Sequence, residues 1–194
     1  ISVVVAAYNG EKYIIKQLES IKNQTLKVDE VIICDDCSKD STVFKVEEYI
    51  KQNSLNGWYV HKNEKNLGLN YTLNRCLEAA KGEYIARMDG DDVSLPERLE
   101  KEKEFLDNNP NYAIVSCPMI YFDENGDWGQ GKAISDPQKK DFLSGTPFCH
   151  APCMVRSVAY RAVKGYSTDS RTLRAEDYNL WFRMYALGYK GHNL

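Results

Sequence analysis

A chain of 194 residues, 43% hydrophobic and 27% charged, has the make-up of one globular domain able to bury a sizeable core. Its formal net charge of −3 gives no basic excess of the kind that binds nucleic acid. No stretch approaches the roughly 20 consecutive apolar residues that span a bilayer, and no secretory leader precedes the first apolar run, so a cytoplasmic setting is expected.

Ser2 to Ala7 is a nearly continuous apolar run, the pattern of a strand buried on both faces, and Tyr8-Asn9-Gly10 breaks it. Ile14, Leu18 and Ile21 recur at helical spacing before a second buried strand at Val31 to Cys34, which makes a βαβ unit with parallel strands. That strand ends in Asp35-Asp36. Ser38, Asp40 and Ser41 are candidate caps for the helix carrying Val43, Val46 and Ile50. Trp58 to Lys62 reads as a third strand and Asn66-Leu67-Gly68 as a turn. Leu69, Leu73, Cys76, Leu77 and Ala80 then line a helix with Gly82 as its stop signal. A fourth strand, 84–88, delivers Asp89-Gly90-Asp91-Asp92 to the sheet edge that holds Asp35-Asp36, the edge where ligands bind in open parallel sheets.

Three carboxylates this close repel unless a cation sits among them. Oxygen ligands on a short turn suit Mg²⁺ or Mn²⁺ completed by substrate phosphates; a solvated acidic turn capping the next helix is the structural alternative. Ser94-Leu95-Pro96-Glu97 matches a capping box for a helix through about Asn109. Ala113 to Cys117 and Met119 to Phe122 read as strands, with a hairpin signal at Glu124-Asn125-Gly126-Asp127, and here the pattern turns antiparallel to build a second cleft wall. Leu180, Trp181, Met184 and Leu187 mark a last helix that stops at Gly188 and opens on Glu176-Asp177, where acidic residues also suit the helix dipole. The six cysteines lack paired zinc spacing and read as reduced, with Cys34 and Cys76 in apolar surroundings. Because the chain begins at Ile1 without Met and stops as another strand opens, a further C-terminal region is expected, with peripheral membrane association through it as one role.

In order along the chain stand Val3-Val4-Val5-Ala6-Ala7-Tyr8-Asn9-Gly10, Asp35-Asp36-Cys37-Ser38, Asn66-Leu67-Gly68, Gly82-Glu83-Tyr84-Ile85, Asp89-Gly90-Asp91-Asp92, Pro96-Glu97-Arg98-Leu99 and Glu176-Asp177. Together they make a chain that resembles the family 2 glycosyltransferases that build bacterial surface polysaccharides. The resemblance implies the GT-A fold: a Rossmann-like, mostly parallel sheet flanked by helices, with a smaller antiparallel acceptor-side region. A single catalytic domain spanning 1–194 would divide into a nucleotide-sugar half, about 1–112, and an acceptor half, about 113–194.

It further implies a nucleotide-diphosphate sugar donor, expected to be a UDP-sugar, a divalent metal (Mn²⁺ or Mg²⁺), and inversion at the anomeric carbon. By the family's motifs Asp36 would accept from uracil N3–H, Ala6 and Tyr8 would line the nucleotide pocket, Asp89 would face the ribose and metal-bound water, and Asp91 would hold the cation. Asp177 would be the base that takes the acceptor's proton. Glu176 and His150 are candidates for acceptor or diphosphate contacts, and Lys62, Lys65, Arg87 and Arg174 are surface residues with a weaker claim on phosphate. Cys37 replaces the family's usual Gly, and the Gln-x-x-Arg-Trp motif of processive synthases is absent, which favours addition of one sugar to a saccharide acceptor, with a lipid-diphosphate carrier implied by the resemblance. A sugar-nucleotide pyrophosphorylase or a non-catalytic nucleotide-sugar-binding module are the alternatives.

Overall fold

A computed structural model describes residues 1–194. The first half alternates as the hydrophobic periods dictate: β1 (Ser2–Ala7), α1 (Ile14–Lys22), β2 (Glu30–Asp35), α2 (Thr42–Gln52), β3 (Trp58–Lys62), α3 (Leu69–Ala79), β4 (Tyr84–Asp89) and α4 (Arg98–Asn108). The second half holds β5 (Ile114–Ser116), the hairpin of β6 (Ile120–Asp123) and β7 (Gly126–Gln130), β8 (Met154–Arg156), α5 (Ser157–Ala162), α6 (Glu176–Ala186) and β9 (Gly191–Asn193). Short 3₁₀ turns at Lys139–Ser144 and Ser170–Thr172 interrupt the long connections.

Seven strands form one sheet in the order β3-β2-β1-β4-β8-β5-β9, and β6-β7 stands apart as a two-stranded sheet. β1 pairs in parallel with β2 and β4, and β2 with β3, as connection through helices allows. β8 runs antiparallel between β4 and β5, and β9 is parallel to β5. The expected mostly parallel sheet with an antiparallel part is therefore present, with β5, β8 and β9 extending the main sheet and the hairpin alone detached. Alternation along the strands splits the core in two. Val3, Val5, Ile33 and Met88 pack under Ile14 and Leu18 of α1 and Leu99 and Leu106 of α4. Val4, Ile32, Cys34 and Ile85 pack against Leu73 and Cys76 of α3 and Leu180, Trp181 and Met184 of α6.

Three local expectations are corrected. The capping box does not form: α4 begins at Arg98, and the Ser94 N–H donates to Ser20 Oγ at 3.1 Å instead. Gln24 Oε1 takes the Leu99 N–H (3.1 Å), so a side chain after α1 satisfies the start of α4. Gly82 does not end α3, whose C-cap is Ala80; a Cβ at Gly82 would lie 2.6 Å from Ser2 N, so glycine is needed for close approach to β1. Leu187 is exposed at the end of α6 rather than on its apolar face. Gly188 does end that helix, at φ 89°, with Gly188 N–H bonding Tyr185 O and Tyr189 N–H bonding Met184 O in a Schellman arrangement.

Candidate active site

The carboxyl ends of β1, β2 and β4 carry the site. Register places Ala6 beside Asp89 on one side and Cys34 on the other, and Ala7 beside Asp35, so the two acidic clusters flank the end of β1. A Cβ on Gly90 would lie 3.7 Å from Ala6 O, which shows how closely the acidic loop crosses that strand. Tyr8 projects half-exposed beyond it.

The β2 end is knitted to the β1 loop. Asp35 accepts from Ser38 N–H at 2.9 Å, Ser38 Oγ accepts from Asn9 N–H at 2.9 Å, and Asp40 accepts from Glu11 N–H and Thr42 N–H at 3.1 and 3.0 Å. Cys37 sits at φ 62°, in the left-handed region that glycine enters freely. Asp36 is 4% exposed. Its Oδ1 accepts from Asn63 Nδ2 and Leu67 N–H and its Oδ2 from Gly68 N–H, each at 2.8 Å. Burial raises the Asp36 carboxyl, but these donors outweigh it and hold the group below its ordinary value. Asp36 is thus the anionic anchor for the start of α3, which gives Asn66-Leu67-Gly68 a physical purpose.

On the β4 side, burial pushes the Asp89 carboxyl up, Arg87 pulls it down and Asp91 pushes it up, with a net rise. Asp92 is pushed up to about 6 by burial and by Asp89 and Asp91. Asp91 is exposed and has neither a hydrogen bond nor an ion pair with protein. No three His, Cys, Asp or Glu side chains converge as a closed metal cage. A crowded carboxylate turn in which Asp91 is unengaged suits a hard cation that takes one or two protein oxygens and completes its shell from water and phosphate.

Asp177 opens α6 with its carboxylate free of protein partners, as is Glu176. Burial raises the Cys149 thiol, and the carboxylates of Asp177 and Asp92 each raise it further. The backbone there is fixed by Ser116 Oγ and Cys153 Sγ donating to Cys149 O at 3.0 and 2.8 Å. His150 Nε2 lies 2.9 Å from Tyr166 OH, and burial and then Arg87 hold the imidazole well below its usual value, hence neutral. The structure therefore brings Ala6, Asp36, Asp89 and Asp91 to one sheet edge, and sets Asp177 in the first turn of α6.

One arginine departs from expectation, and a second supports it. Arg87, read as a surface residue, is 2% exposed; alternation put it on the face of Asp89, and that period was the available signal. Arg98, behind Pro96-Glu97, donates to Arg87 O at 3.2 Å and lies 3.5 Å from Glu102, which is fully buried and pushed up to about 8 by burial against the pull of Arg98. Lys62, by contrast, is half-exposed and pairs with Glu47, and Lys65 and Arg174 are exposed.

Residues 2–163 match the family described as glycosyl transferase family 2. EpsE of Bacillus subtilis, assigned as a glycosyltransferase, is 42% identical over 194 residues, all of this chain and 69% of that protein. WfaP of Escherichia coli, a UDP-Glc:alpha-D-GlcNAc-diphosphoundecaprenol beta-1,3-glucosyltransferase, is 29% identical across all of this chain and 73% of its own. Other relatives are named for amylovoran and O-antigen biosynthesis. Among solved structures, Staphylococcus aureus TarS (residues 1–349) in complex with UDP superposes over the whole chain with a TM-score of 0.80 at 24% identity, covering 57% of TarS. The Pyrobaculum calidifontis mannosyltransferase PcManGT, with GDP-Man and Mn²⁺, gives 0.78 at 20% identity and 54% coverage. These two likenesses show the fold, which is GT-A. The chain spans little more than half of either solved protein.

Proposed function

The chain belongs to glycosyl transferase family 2, with relatives in polysaccharide biosynthesis, and we propose that it moves a sugar, with inversion, from a UDP-sugar to a hydroxyl of a saccharide acceptor in the assembly of a bacterial surface glycan. The observation that carries this reading is the division of carboxylates: a crowded set at the strand ends, and an unpartnered Asp177 in the first turn of α6. One set suits a metal-bound diphosphate and the other a single base.

Asp36 would accept from uracil N3–H; cytosine presents an acceptor there and would be repelled. Ala6 and Tyr8 line the nucleotide, and Asp89 faces the ribose and metal-bound water. Asp91 would hold Mn²⁺ or Mg²⁺, with Asp89 and Asp92 adjoining; bound there, the cation supplies neutralisation of charge developing on the leaving diphosphate. Asp177 takes the proton of the acceptor hydroxyl as that oxygen attacks the anomeric carbon opposite the diphosphate, while Glu176 and the accessible edge of His150 contact the acceptor. A lipid-diphosphate acceptor, as in the name of WfaP, fits the same chemistry. Metal dependence also agrees with the Mn²⁺ bound by PcManGT.

The test is turnover of UDP-sugars with and without candidate acceptors, with the product anomer read by NMR. Asp177→Asn should lose about 10²- to 10⁴-fold in kcat while UDP binding stays nearly constant. A variant keeping half of wild-type turnover would remove Asp177 from the base position.

A further inference from the structure

β4 is buried on both faces, yet it contains a guanidinium. Arg87 is 2% exposed, and its Nη2 donates to Asp89 Oδ1 two residues on, at the same face of the strand. Neither Nε nor Nη1 has a protein acceptor in reach. The titratable groups facing it from neighbouring elements carry no compensating charge: His150 is neutral, and burial keeps the Tyr160 and Tyr166 hydroxyls and the Cys153 thiol protonated. Asp89 is its ion-pair partner, and the dependence is unequal, because the Asp89 side chain is 37% exposed while that of Arg87 is 2% exposed. A guanidinium out of water with no partner is far more costly than a half-exposed carboxylate.

We propose that Arg87 is a positioning residue for donor binding, fixing the Asp89 carboxylate before the donor arrives. Oδ1 is committed to the guanidinium, so Oδ2, which has no protein partner, is left to face the ribose and metal-bound water. Arg98 supports this from behind by donating to the Arg87 carbonyl. Asp91, unattached and exposed, is then the carboxylate free to follow the cation, so that within the turn Asp89 is preset and Asp91 adjustable. This rests on the reading of Asp89 as a donor contact.

The experiment combines thermal unfolding with calorimetric titration of UDP in Mn²⁺ and in EDTA, for wild type, Arg87→Met, Asp89→Asn and the double variant. Asp89→Asn should melt well below wild type because it strands the buried guanidinium, Arg87→Met should melt close to wild type, and the double variant should regain most of the loss. Arg87→Met should weaken UDP binding in Mn²⁺ by at least about tenfold and leave binding in EDTA within about twofold, a split that a role confined to folding would not produce. Failure of Arg87→Met to rescue Asp89→Asn, or UDP affinity in Mn²⁺ within about twofold of wild type, overturns the proposal. Wild-type binding indifferent to metal instead overturns the donor reading and the functional half of this one, and the melting cycle still decides whether Arg87 holds Asp89.

Discussion

Replacing Glu102 by Gln should change how the stability of this protein responds to pH. Glu102 is 0% exposed on α4, with both carboxyl oxygens lacking hydrogen bonds and Arg98 no nearer than 3.5 Å, and burial pushes it from 4.5 up to about 8. Between those values the folded chain keeps a proton that the unfolded chain has released, so stability falls as pH rises from about 4.5 to about 8. At about 1.4 kcal/mol per pKa unit, the loss between pH 5 and pH 8 is roughly 3 kcal/mol. Gln has nearly the same shape and does not titrate. Urea unfolding of both proteins at several pH values should therefore give a stability difference that moves in favour of Glu102→Gln by about that amount across the range. A difference that stays flat would mean that Glu102 is ionised throughout, held by Arg98, and the assignment of a neutral buried acid would be wrong.

Asp36→Ala should cost about 2–4 kcal/mol in stability, because the N–H groups of Leu67 and Gly68 and the Asn63 amide lose their shared acceptor; the same urea titration measures it. A stability unchanged by Asp36→Ala would refute its role as anchor of α3. Cys37→Gly, at φ 62°, should be neutral or stabilise by up to about 1 kcal/mol, and a clear loss of stability would show that the Cys37 side chain contributes more than its backbone strain costs.

Most strands and helices of the first half were legible because each is buried on a face that its period reveals: Val3 to Ala7 is an unbroken apolar run, and Ile14, Leu18 and Ile21 share one stripe. The convergence of Asp36 and Asp89 followed from parallel strand order alone. Ser94 and Gly82 were misread for one reason, that tertiary contacts with Ser20 and Ser2 decide the local geometry and leave no trace in neighbouring sequence. Arg87 was misread because composition rules send arginine to the surface, whereas its partner two positions on, Asp89, permits burial. The irregular connections around Cys149 and Tyr166 were not legible, because no period constrains their side chains.

Calorimetric titration with UDP, CDP and GDP, each in Mn²⁺ and in EDTA, tests most directly whether the two acidic clusters form a metal-dependent uridine-diphosphate site. UDP should bind in Mn²⁺, lose most of its affinity in EDTA, and outcompete CDP because Asp36 repels the cytosine N3 acceptor. Preference for GDP, or affinity indifferent to metal, would contradict the roles given to Asp36 and Asp91.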